Sequence, residues 1–157
     1  MKNTELVALF NAINNMGALK GVKFAYGISR NMYFIKPQIE ALQKSIEATE
    51  GFKKYDEERI KLAEKHAKKG EDGKAVMSGE GRAQQYVIED KEAFNAEWEA
   101  LKAEHSEALE DQKQREAEYI KLMDEETTVE LFKIKLSDVP EDISTAQLNS
   151  IFALISE

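Results

Sequence analysis

The stretch "EDGKAVMSGEGRAQQYVIED", residues 71–90, separates two long charged segments that both carry helical periodicity. Gly73, Gly79 and Gly81 fall inside it and Gly70 just before it, so half of the eight glycines gather where the helical pattern stops. Within it "KAVM" and "AQQYVI" flank "SGEG", the arrangement of two short strands joined by a glycine-containing turn. A surface loop without strand pairing is the alternative. On either reading the chain reverses here, which predicts a mainly α fold: a long antiparallel helical hairpin, coiled-coil-like, with a β-hairpin or loop at its tip over 70–90.

Outward from the tip, residues 21–69 read as the first arm. Phe24, Ile28, Met32, Ile35, Ile39, Leu42, Ile46 and Thr49 alternate steps of four and three, close to a coiled-coil seam. Pro37 interrupts this stripe and predicts a kink near Phe34 to Pro37, or a helix ending there. Gly51 marks a second possible break, after which Phe52, Tyr55, Arg59, Leu62 and His66 continue the stripe. The second arm, residues 91–126, steps likewise through Phe94, Trp98, Leu101, His105, Ala108, Gln112, Arg115, Tyr119 and Leu122, with Asp90 as its N-cap. Folding one arm onto the other places Trp98 near Leu62, Tyr119 near Ala41, His66 near residue 94 and His105 near residue 55.

Two shorter regions complete a single elongated domain over 1–157. In residues 1–20, Leu6, Val7, Leu9, Phe10 and Ile13 mark a short amphipathic helix capped by Thr4 or Asn3. In residues 127–157, "TTVELFKIKLSDVP" reads as a strand stopped by Pro140, with Val129 and Leu131 on one side and Phe132, Ile134 and Leu136 on the other. Ser144 and Gln147 then form a capping box for a last helix presenting Leu148, Ile151, Phe152 and Ile155 on one face. None of these pieces is stable alone, so they are expected to pack as a base at the open end of the hairpin.

Composition narrows function by exclusion. The 157 residues are 42% hydrophobic and 33% charged, too apolar for a disordered chain and rich in solvated helix faces. No apolar run approaches the length of a membrane span and no signal-type cleavage site follows the first helix, which predicts a soluble, unsecreted, cytoplasmic protein. Zero cysteines exclude disulfides, thiolate metal sites and thiol nucleophiles. The net charge is −8, yet the first 48 residues hold six Lys/Arg against three acids, +3 within that total, which leaves −11 for the rest. That balance makes nucleic-acid binding a minor reading, confined to Lys20, Lys23, Arg30 and Lys36 as anion contacts. His66 and His105 lie too far apart along the arms to share a metal, and the many carboxylates read as solvated helix faces. No phosphate-binding or dinucleotide fingerprint occurs. The chain is therefore expected to be non-enzymatic, with no cofactor and no metal.

"KFAYGISRNMYF", residues 23–34, is the most distinctive apolar segment, with four aromatics and two cations. Phe24, Ile28 and Met32 share the core face, leaving Tyr26, Arg30 and Tyr33 as surface candidates, while Gly27 suggests close packing against another element. Taken with "LVALFNAI", "YDEERIKLAEKHAKKGEDGK" and "IKLSDVPEDISTAQLNSI", this segment resembles a group of small bacteriophage and prophage open reading frames without an established activity. The resemblance implies a phage origin and carries over no functional residues. The helix, β-hairpin, helix order is also similar to a prefoldin β-type subunit, from which the chain departs by its N-terminal helix and its C-terminal strand and helix.

The expected function is a protein-binding module acting on a host protein, as an inhibitor or modulator. Contacts are expected at the tip (Val76, Met77, Tyr86, Val87) and on the C-terminal strand (Val129, Leu131, Phe132), which could pair edge to edge with a partner or with a second copy. A homo-oligomeric phage assembly or virion-associated protein is the alternative.

Overall fold

The computed structural model describes residues 1–81 and 84–157; the part of the expected tip at residues 82 and 83 lies outside the described residues. The described chain is mainly helical, with two small strand pairs. In order it runs α1 (Asn3–Asn14), α2 (Val22–Ser45), α3 (Glu50–Lys65), β1 (Met77–Ser78), β2 (Gln85–Tyr86), α4 (Lys91–Glu104), α5 (Ser106–Asp124), β3 (Ile134–Lys135), α6 (Thr145–Ser150) and β4 (Ile155–Ser156). It divides into two compact units, one of Met1–Glu47 with Glu116–Glu157 and one of Ala48–Arg115.

The first unit holds the main apolar core. Leu6, Leu9, Ile13 and Met16 recur every three or four residues along α1 and the turn after it, and all are buried against α2. Asn3 opens α1 by donating its backbone N–H to the Glu125 carbonyl and its side-chain amide to the Leu122 carbonyl. The residue before it, Lys2, takes the N-cap position expected of Thr4 or Asn3, its N–H bound by Glu5 Oε2 at 2.8 Å.

In α2 the buried positions are Phe24, Gly27, Asn31, Ile35, Ile39 and Leu42. The expected stripe is met at Phe24 and from Ile35 to Leu42, while Ile46 and Thr49, beyond the helix, are half-buried. Between Phe24 and Ile35 burial falls one residue earlier than expected, at Gly27 and Asn31, leaving Ile28 and Met32 only half-buried too. The reason is the chain that docks there. With no side chain at Gly27, Ile134 fits where a Cβ would be 2.6 Å from its Cγ1. Asn31, fully buried, binds the backbone of Phe132 on both sides: its Oδ1 accepts from the Phe132 N–H and its Nδ2 donates to the Phe132 carbonyl, each at 2.8 Å. Pro37 does not end the helix. Its missing hydrogen bond is tolerated because Ile35 before it and Ile39 and Leu42 after it are anchored in the same core.

The C-terminal region corrects two expectations. Only Ile134 and Lys135 of the expected strand form a ladder, and they pair in parallel with Ile155, expected on the face of the last helix, and Ser156. The Ser144–Gln147 capping box starts α6 as its spacing requires, but α6 stops at Ser150. Leaving the helix there buries Ile151 and Leu154 completely while Phe152 turns to solvent.

The second unit is thinner. α3 runs antiparallel to α4 and the first turn of α5, with Gly51 against Ala108, Glu58 against His105 and Lys65 against Glu97. Thr49 caps α3 by accepting from the Phe52 N–H, so the break falls just before Gly51. Asp90 caps α4 through the Ala93 N–H. The expected continuous helix over 91–126 is interrupted at His105, although the backbone bonds from His105 to Leu101 and from Leu109 to His105 persist. Between the helices β1 and β2 pair antiparallel, Met77 with Tyr86 and Ser78 with Gln85, and Lys68 ties this ladder to the helices by bonding Val76 and Val87.

Candidate functional site

One face of α2 is the core; the other carries Val22, Lys23, Tyr26, Arg30, Tyr33 and Phe34. Val22 is 89% exposed, Tyr33 75%, Tyr26 58% and Phe34 44%. Helical spacing puts these residues on one side because the buried positions occupy the other. Leaving four large apolar side chains in water on one helix face is unfavourable by about 25 cal/mol per Å² of apolar surface, which is why contiguous patches of this kind mark interaction surfaces.

The segment 127–136 lies beside this face. The Phe132 ring meets Tyr26 edge on at 5.9 Å, and the Arg30 guanidinium stacks over Phe132 at 4.6 Å and reaches Phe34 at 6.0 Å. Arg30 also donates to Tyr26 Oη at 3.4 Å. Aromatic rings therefore hold the guanidinium in place of a carboxylate. A groove of about 500 Å³ opens between Arg30 and Phe34 on one side and residues 128–133 on the other. A second, about 410 Å³, lies on the other side of Phe132, between Val22, Lys23 and Tyr26 and residues 132–135 with Asp138. Lys23 pairs with Asp138 at 3.3 Å and Lys133 Nζ donates to the Ala153 carbonyl.

The structure thus brings together residues that sequence reasoning placed in two separate groups, the anion contacts Lys23 and Arg30 and the strand residues Val129, Leu131 and Phe132. Val129 and Leu131 are half-buried against the core, and Phe132 is half-buried against α2. Asn31 already binds both backbone groups of Phe132. Lys36 lines neither groove and pairs with Glu40 at 3.8 Å, while Lys20 precedes the helix, exposed. The tip residues belong to the other unit: Val76, Tyr86 and Val87 are half-buried in the small ladder and Met77 is exposed. Phe34, Lys133 and the role of Asn31 were missed. A helical-wheel reading of Lys23, Tyr26 and Arg30 extends naturally to Phe34, whereas nothing local marks Asn31.

Both histidines sit in the second unit beside a glutamate. His105 Nε2 is 2.8 Å from Glu58 Oε2 and its ring meets Tyr55; that bond holds the Glu58 carboxyl below its ordinary value. His66 Nε2 lies 3.2 Å from Glu97 Oε1 without meeting hydrogen-bond geometry. Glu97 is held low chiefly by Lys65, whose ammonium binds both carboxylate oxygens. Trp98 Nε1 donates to Tyr55 Oη at 3.1 Å, completing an aromatic seam. Each imidazole therefore has one carboxylate and an aromatic neighbour, a packing arrangement. Among the described residues no three His, Cys, Asp or Glu side chains converge as metal ligands, and no helix is long and apolar enough to cross a membrane. Comparison with protein-family models, curated proteins and solved structures gave no match.

Proposed function

We propose that this chain is a non-enzymatic protein-binding module that receives a peptide segment of another protein on the exposed face of α2 and the segment beside it. In the bacteriophage setting to which the sequence resemblance points, the partner is a host protein in the bacterial cytoplasm, and binding inhibits or modulates it. The observation that carries this reading is the run Val22, Tyr26, Tyr33 and Phe34, apolar and exposed on one helix face and flanked by grooves on both sides of Phe132. The antiparallel helices of the second unit, read as a coiled-coil-like hairpin, serve as a rigid support for the tip.

The test is a comparison of wild type with the Tyr26→Ser/Phe34→Ser double variant. Both side chains are exposed, so thermal melting is expected to be unchanged. Wild type should capture a stoichiometric protein partner from host lysate that the double variant loses. A native mass that rises with concentration and falls to monomer in the variant would replace this reading with the homo-oligomeric assembly role. Equal capture by both proteins would remove α2 from the interface.

A further inference from the structure

We propose that the groove between Arg30, Phe34 and residues 128–133 takes an extended acidic peptide, its carboxylate held by Arg30 and its backbone running along Thr128–Leu131. The inference rests on the protein-binding reading and adds the chemistry of the bound segment. Three observations meet at this groove. The first is the guanidinium of Arg30, fixed by Phe132, Phe34 and Tyr26 with no acid partner among the described residues, in a chain of 30 acidic residues. A planar fork that is stacked on its face keeps its edge donors for a ligand, and pre-ordering lowers the entropy lost on binding.

The second is the wall opposite. The backbone N–H groups of Thr128, Glu130 and Leu131 find no hydrogen-bond partner among the described residues, whereas Phe132 is bound by Asn31 and Ile134 enters the ladder with β4. A stretch with unpaired main-chain groups that continues into a strand is a template for an added strand. The third is charge. The two grooves around Phe132 are lined by Lys23, Arg30, Lys133 and Lys135 against Glu130 and Asp138, a positive surface on a protein of net −8. Cations beside aromatic rings also suit single-stranded nucleic acid, but the −8 chain repels a long polyanion and Glu130 stands in the groove wall. A short acidic strand with apolar side chains satisfies the backbone groups, the guanidinium and the apolar walls together.

The experiment is fluorescence polarisation of the full chain with three labelled hexapeptides, alternating leucine with glutamate, glutamine or lysine, and with an oligothymidylate of about ten nucleotides. The glutamate peptide should bind about tenfold more tightly than the glutamine peptide, and added salt should erode the difference. Arg30→Gln should abolish that preference, Arg30→Lys should keep part of it, and Lys36→Gln, outside the groove lining, should leave it intact. Thermal melts of each variant separate loss of binding from loss of fold, and amide shifts at Thr128, Glu130 and Leu131 locate the peptide. No binding by any peptide, equal binding of glutamate and glutamine peptides, or insensitivity to Arg30→Gln overturns the proposal. Tighter binding of oligothymidylate replaces it with nucleic acid. If a protein partner is still captured through Tyr26 and Phe34 while Arg30→Gln captures as wild type does, the protein-binding function stands and only the acidic-peptide inference falls.

Discussion

Replacing Asn31 with alanine tests the join between α2 and the C-terminal segment. The wild-type side chain is fully buried and makes three hydrogen bonds, to the Gly27 carbonyl at 2.9 Å and to the N–H and carbonyl of Phe132 at 2.8 Å each. Loss of the Gly27 bond is cheap, because that carbonyl already has a helical partner. The two Phe132 groups have no substitute, and a desolvated main-chain group left unpaired costs about 1–3 kcal/mol. Both are partly buried, so the low half of that range applies to each, and a small cavity adds to it. Asn31→Ala is therefore expected to destabilise the first unit by about 2–4 kcal/mol. With a urea dependence of about 2 kcal/mol per molar, the middle of the usual range, its unfolding midpoint should fall by about 1–2 M. The assay is urea unfolding followed by NMR amide signals of Phe24 and Phe132, with Trp98 fluorescence as the readout of the other unit. Met32→Ala, at a half-buried position that helical periodicity alone places in the stripe, should cost only about 1 kcal/mol. A loss below about 0.5 kcal/mol for Asn31→Ala, or a larger loss for Met32→Ala, would refute the reasoning.

Gly27→Ala should lower the melting temperature although alanine is the better helix former. Its Cβ would stand 2.6 and 2.8 Å from Cγ1 and Cδ1 of buried Ile134, and overpacking of about 1–3 kcal/mol exceeds the helix gain of about 1 kcal/mol; a stabilised variant would count against the close approach. The second unit should be acid-sensitive. Partners hold Glu58 and Glu97 below the ordinary value of 4.5, so the folded unit binds fewer protons than the unfolded chain; this stability is complete above that value and disappears as pH falls through the lower folded values. Glu58→Gln should flatten that acid limb in a Trp98-monitored pH titration, and an unchanged limb would assign it elsewhere. Ser144→Ala should cost about 1 kcal/mol and raise hydrogen exchange at Gln147, whose N–H the serine hydroxyl accepts; unchanged exchange would show that the cap is not formed.

What was legible in the sequence was what a few neighbouring residues decide. Asp90 caps α4 and the Ser144–Gln147 box starts α6, because a cap is an interaction across three residues. The α1 stripe is legible for the same reason: every position on it answers to one periodicity. The candidate site was only half legible. Lys23, Tyr26 and Arg30 were identifiable as surface residues of one helix, but their union with Phe132 joins positions about a hundred residues apart.

By itself, then, the sequence determined a mainly helical chain, the starts of α4 and α6, and the glycine-rich break between two helical stretches. These follow from backbone propensity, periodicity and caps, which act over one or two turns. The tertiary structure alone decided which face of α2 is buried near Gly27 and Asn31, that Ile155 and Ser156 pair with Ile134 and Lys135, and that Arg30 stacks on Phe132. Each of these depends on a partner that arrives from elsewhere in the chain. A missing Cβ, a buried amide or an exposed guanidinium takes its meaning from what packs against it, and local sequence carries no record of that neighbour.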